Sequence, residues 1–143
     1  MVTGANPFIW KNPNDSQWYL FFHDTGGAGY RICYRTAASL ADMDSASTVP
    51  VLDFNIVTAA PTVFYRDGLY WLIVEEWPNE IWRNSAFYSS SISGPYTRWG
   101  IVNSADDACS IILKYGSTLY YYYSQQTNKT SVYWDIVLRT ADY

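Results

Sequence analysis

Three carboxylates stand where strand-like runs begin or end: Glu75-Glu76 close one run and Asp107 opens another. Paired carboxyl groups are the tools of general acid–base work, one giving a proton while the other takes one. Adjacent strand residues point to opposite faces, so Glu75 and Glu76 cannot both line one cleft. Their bland reading is a solvated or structural pair. His23-Asp24 suits an ion pair as well as a proton shuttle, and His23 is the only histidine. No serine, histidine and acid fall into a nucleophile arrangement. Asp42-Met43-Asp44 lacks the spaced ligands and glycine of a calcium loop and reads as a turn. Gly26-Gly27-Ala28-Gly29 has no helix after it on which to seat a phosphate. Arg66-Asp67-Gly68 reads as a hairpin turn. Cys33 and Cys109 show no CxxC spacing for zinc or redox work, and a disulfide and two buried free thiols both remain open. No metal and no cofactor are expected.

The aromatics point elsewhere. The 143 residues include 7 Trp, 14 Tyr and 6 Phe. Trp10, Trp77, Trp82, Trp99 and Trp134 sit at strand ends or in loops, where a flat ring can stack on the apolar face of a sugar. Trp77 and Trp82, flanking Pro78-Asn79-Glu80, and Trp10 are the ligand-binding candidates. Exposed rings of this kind are equally the anchors of protein interfaces.

Charge and hydropathy exclude several classes of partner. The formal charge of −4 gives no basic footprint for nucleic acid. No apolar run reaches the ~18 residues of a membrane-spanning helix, so no membrane insertion is expected. Uncharged partners such as a glycan or polysaccharide remain. Met1-Val2-Thr3-Gly4 has no basic and apolar stretch of a signal peptide. The triplets Asn14-Asp15-Ser16 and Asn128-Lys129-Thr130 are glycosylation acceptors and tilt the reading towards an extracellular, secreted protein.

The elements that must position these residues repeat. Tyr19-Leu20-Phe21-Phe22, Tyr70-Trp71-Leu72-Ile73 and Tyr120-Tyr121-Tyr122-Tyr123 recur at spacings of 51 and 50 residues. Each follows a strand and a turn: Phe8-Ile9-Trp10 before Asn12-Pro13-Asn14-Asp15, Val63-Phe64-Tyr65 before Asp67-Gly68, and Ile111-Ile112-Leu113 before Tyr115-Gly116-Ser117. Asp-Gly between two β-prone runs is a strong hairpin signal, because glycine accepts the positive φ of the turn. Third strands follow at Ile32–Thr36, Ser85–Ser89 and Ile136–Thr140, and fourth strands near Val49–Leu52 and Tyr96–Ile101. No stretch has a helical apolar period, so long helices are not expected.

Repeats of roughly 40–50 residues with about four strands mark β-propeller blades. The fold class expected is all-β and propeller-like, one domain over 1–143 with three blade repeats near 5–55, 56–103 and 104–143. A β-sandwich is the rival, and the triple register favours blades. Propellers usually close with about four to eight blades. Three would leave apolar blade faces bare, so the expected partner is a second copy, as a homo-oligomer, or further propeller blades.

The middle repeat, Ala59-Ala60-Pro61-Thr62-Val63-Phe64-Tyr65-Arg66-Asp67-Gly68-Leu69-Tyr70-Trp71-Leu72, resembles a blade of glycoside hydrolase families 43 and 62. Ser85–Ser91 and the Gly94-Pro95-Tyr96 turn continue the likeness, and the first and third repeats are similar to neighbouring blades. The resemblance implies a five-bladed propeller acting on arabinose- or xylose-containing polysaccharides, with carboxylates projecting into a central funnel. It also places the general acid two positions before the middle-blade proline, which is Ala59, and the tuning aspartate just before the preceding proline, which is Asn6. Ala59 cannot donate a proton and Asn6 cannot carry the tuning charge. Asp107, at the start of the third blade, resembles a catalytic aspartate of some relatives. The expected function is therefore a non-catalytic, glycosidase-like module that binds carbohydrate or packs in an assembly. The alternatives are an active arabinofuranosidase or xylosidase drawing on Asp107 with Glu75 or Glu76, and a purely structural self-assembling subunit.

Overall fold

A computed structural model of the chain describes residues 4–24, 31–53, 56–103, 107–126 and 135–143. The run Gly26-Gly27-Ala28-Gly29, the Asn128-Lys129-Thr130 triplet, Trp134 and Met1-Val2-Thr3 lie outside the described residues. Among the described residues, eleven strands form three antiparallel sheets, each meandering in chain order. The first holds β1 (Ala5–Lys11), β2 (Trp18–Asp24), β3 (Arg31–Ala37) and β4 (Val49–Leu52). The second holds β5 (Thr58–Arg66), β6 (Leu69–Glu76), β7 (Arg83–Ser89) and β8 (Thr97–Asn103). The third holds β9 (Asp107–Tyr115), β10 (Thr118–Gln125) and β11 (Asp135–Asp142). The only helical turns among the described residues are single 3-10 turns at Leu40–Asp42 and Pro78–Glu80. None is long and apolar enough to cross a membrane.

Turn chemistry accounts for the hairpins. Asp67 (φ 53°) and Gly68 (φ 80°) give the two successive positive φ values of a tight two-residue loop, whose twist matches that of the strands. The β1–β2 connection is longer and held by its own side chains. Asn14 donates its backbone N–H to Asn12 Oδ1 at 3.1 Å, and Gln17 does the same to Asp15 Oδ1 at 2.8 Å.

The three sheets are propeller blades, and of their first strands β5 lies between β1 and β9, in contact with both. Alternation gives each strand two faces. Phe21, Tyr19, Ile32 and Tyr34 of the first blade pack against Val63, Leu72, Val74 and Phe87 of the second. The second blade's other face meets the third through Ile73, Ala86, Ile112 and Leu119. The outward face of the third blade carries exposed Ile111, Leu113, Ile136 and Leu138. Both cysteines are free thiols. Cys33 is buried in the first blade, but Cys109 is exposed, because it sits on an irregularity of the innermost strand of the third.

Candidate functional site

Each innermost strand carries the same irregularity near its start. Between Ala5 and Phe8, between Ala59 and Thr62, and between Ala108 and Ile111, three residues advance on the inner strand against two on its partner. One extra residue per strand is a β-bulge, which bends the strand and re-aims its side chains. The bulge residues Asn6, Ala60 and Cys109 have φ of 53°, 43° and 46°. Only glycine takes this region freely, and each non-glycine residue there costs about 1–3 kcal/mol. The same strained residue thus recurs at one position of all three innermost strands.

The bulges line one cavity of about 180 Å³ through Asn6, Pro7, Ala60, Pro61, Cys109 and Ser110, with Phe8 and Ile111 below them. The described residues lining it include no carboxylate, while Glu75 reaches the Cys109 backbone from behind the wall. Ala59 is buried beside the cavity. Asp107 is buried at the same end, in register with Gln125 one residue beyond the Ala108–Ser124 pair, and Asn84 Nδ2 reaches its backbone carbonyl at 3.5 Å.

Glu75 and Glu76 diverge. Glu75 is opposite Ala59 and faces the third blade, where its Oε1 accepts the backbone N–H of Cys109. The bulge turns that N–H out of the ladder, and a buried carboxylate satisfies it. Burial pushes the Glu75 carboxyl above its ordinary value, offset in part by the Cys109 N–H and thiol. Although Cys109 as a whole residue is exposed, local desolvation first and then Glu75 push its thiol up to about 11. Glu76 faces the first blade. Its Oε2 accepts Arg83 Nε at 3.0 Å, Ser85 Oγ at 2.7 Å and the Arg98 guanidinium. Burial raises its carboxyl, but Arg98 and Ser85 outweigh that and hold it below the ordinary value.

The tryptophans separate too. Trp77 and Trp82 bracket the 3-10 turn after β6, at the end of the blade where the bulges lie. Their rings stack with centroids 5.6 Å apart and 18° between planes, and Trp77 is exposed. Trp10 lies at the other end of β1. It is half-buried, edge-on to Tyr70 at 6.3 Å, and lines a depression with Lys11, Tyr65 and Lys114. The structure therefore brings Trp77 and Trp82 together and does not bring Trp10 to them. Trp99 packs edge-on against Trp71 on the outer strand β8.

Two features escaped the sequence reading although they repeat in it. Asp24 pairs with Arg31 at 2.9 Å and Glu76 with Arg83 at 3.0 Å, the same carboxylate–arginine brace seven residues apart in two blades. The bulges carried the signal Asn6-Pro7 and Ala60-Pro61, a proline directly after the left-handed residue.

No family model and no curated protein matches the chain. Solved structures do. An exo-1,5-α-L-arabinanase from a bovine ruminal metagenomic library superposes with a TM-score of 0.74 at 15% identity, over 95% of this chain and 52% of its own. A thermostable family-43 glycoside hydrolase gives 0.73 at 12% identity, over 96% and 54%. A family 43 β-xylosidase/α-arabinofuranosidase from a compost microbial metagenome, in complex with xylotriose, gives 0.67 at 18% identity, over 85% and 42%. The chain thus spans about half the length of the structures it matches. The fold is a glycoside-hydrolase-type β-propeller. More particularly it is the fold of the family 43 enzymes, which are five-bladed, with three blades' worth in this chain.

Proposed function

We propose that the chain is a non-catalytic, glycosidase-like propeller module that binds carbohydrate at the funnel mouth and packs against further blades or a second copy. The observation that carries the reading is the bulge-lined cavity, which Asn6 and Ala60 line and beside which Ala59 is buried. Inverting hydrolysis needs one acid and one base across a gap of about 6.5–9.5 Å. Alanine and asparagine supply neither, while Glu75 is engaged by Cys109 and Glu76 by two arginines. What the mouth offers is shape, an asparagine amide, Ser110 and the Trp77–Trp82 stack at the same end, which suits a neutral sugar face. The exposed Ile111, Leu113, Ile136 and Leu138 support the packing part of the reading. An extracellular location fits the exposed Asn14 triplet in the β1–β2 turn.

The test joins light scattering with a pentose-glycoside hydrolysis assay and arabino- and xylo-oligosaccharide titrations on one sample. The expected result is no turnover, with oligosaccharide binding weakened about tenfold in Trp77→Ala, as loss of one stacking ring predicts. Turnover that disappears in Asp107→Asn would overturn the reading.

A further inference from the structure

Directly before Trp77 in the chain, the hydrogen bonding of Glu76 is lopsided. Its side chain is 1% exposed, and Oε2 takes every partner: Arg83, Ser85 and Arg98. Oε1 is equally buried and accepts nothing. That bare oxygen belongs to a residue lining a cavity of about 220 Å³ whose other walls are Ile56, Arg83, Phe87 and Arg98. Arg98 is held there from two sides, donating to Ser85 Oγ at 3.1 Å with its guanidinium 5.2 Å from the Phe87 ring centroid.

Among the described residues, the charges lining the cavity are one carboxylate and two guanidiniums, an excess of one positive charge. In the first blade the pair Asp24 with Arg31 spans the corresponding strands. Arg98 reaches in from the outermost strand β8 and turns a brace into a walled, cationic recess.

We propose that this recess binds a hydroxy-carboxylate, as carried by a uronosyl unit of an acidic polysaccharide. The carboxylate would neutralise the excess charge against Arg83 and Arg98, the planar fork geometry arginine is suited to. An adjacent hydroxyl would donate to the bare Oε1 of Glu76. Neither half suffices alone: a simple anion leaves Oε1 unsatisfied, and a neutral sugar leaves the charge. The recess shares no lining residue with the mouth cavity, and its Glu76 and Arg83 adjoin Trp77 and Trp82 in the chain.

The test is an NMR or calorimetric titration with D-glucuronate, D-glucose, acetate and L-lactate, on the native chain and on Arg98→Gln and Arg98→Lys. Amide dispersion reports folding of each variant. Glucuronate is expected to bind at least about tenfold more tightly than glucose or acetate, to lose about tenfold in Arg98→Gln, and to recover part of it in Arg98→Lys. Lactate matching glucuronate would keep the hydroxy-carboxylate and identify the source as a free acid rather than a sugar unit. Glucose or acetate binding as well as glucuronate would overturn the proposal, as would unchanged affinity in folded Arg98→Gln. Neutral oligosaccharide binding, measured in the same Arg98→Gln sample, reports the mouth separately, so failure of one reading is distinguishable from failure of the other.

Discussion

The two blade seams are built on opposite principles. Between the first and second blades lies a continuous aromatic and aliphatic core in which Phe21, Ile32 and Leu72 have no exposed surface. Between the second and third, only Ile73, Ala86, Ile112 and Leu119 are buried together, beside a cavity of about 440 Å³. Directed polar contacts hold what packing does not: Cys109 N–H to Glu75, Ile112 N–H to Thr62 Oγ1 at 3.1 Å, and Tyr121 Oη to Asn103 Oδ1 at 3.1 Å. Apolar burial is non-directional and grows with area, whereas hydrogen bonds contribute little net but are costly when one partner is lost. The first seam should therefore set global stability and the second the placement of the third blade relative to the mouth.

The largest contrast is expected from cavity-forming substitutions. Phe21→Ala should cost about 3–5 kcal/mol in chemical denaturation, because a fully buried ring leaves a void the blades cannot close. Leu119→Ala should fall at the low end of the ~2–5 kcal/mol range, since an existing cavity already lies against it. Equal losses would erase the distinction between the seams.

Next comes Glu75→Ala, which leaves the Cys109 N–H without its acceptor and should cost about 1–3 kcal/mol. Its signature in hydrogen exchange is faster exchange in β9–β11 with β1–β4 unchanged. Acidity separates the neighbouring carboxylates as well. Glu75 has a raised folded value, so the folded state holds its proton longer than the unfolded chain does. Stability then declines as pH rises from the ordinary carboxylate value to the raised one, a slope that Glu75→Gln removes. Glu76 has a lowered value, so its contribution is complete above the ordinary carboxylate range and is lost as pH falls through the lowered one. Stability curves of the two glutamine variants against pH should bend in opposite senses.

Tyr121→Phe should cost only about 0.5–1.5 kcal/mol, the net worth of one hydrogen bond. Alkylation of the folded chain is the mildest probe. Cys109 should react, slowly and with a rate rising about tenfold per pH unit below its thiol value of about 11. Cys33, buried in the first blade, should react only on unfolding.

The threefold strand register was legible in the chain because aromatic runs and Asp-Gly turns are local signals. Divergence of Glu75 and Glu76 was legible for the same reason, since strand alternation is a two-residue property. Convergence of Asn6, Ala60 and Cys109 was not, because it depends on three bulges meeting across blades. Nor was the position of Trp10. A strand-end tryptophan reads alike at either end of a blade, and only the sheet register assigns it to the end opposite the bulges. Arg98 shows the limit most plainly: it lies 22 residues from Glu76 and reaches it across the intervening strand β7.

The outer faces of the terminal blades differ in kind. In the first blade, Phe22 and Cys33, which alternate away from the seam, are still buried, whereas Ile136 at the other end is 81% exposed. In the vocabulary of polymerisation, the outer face of the third blade is the more reactive of the two, and that of the first, where Ile9 is bare, the less. Coupling through the third blade's face, whether to further blades or to a second copy, should therefore come first.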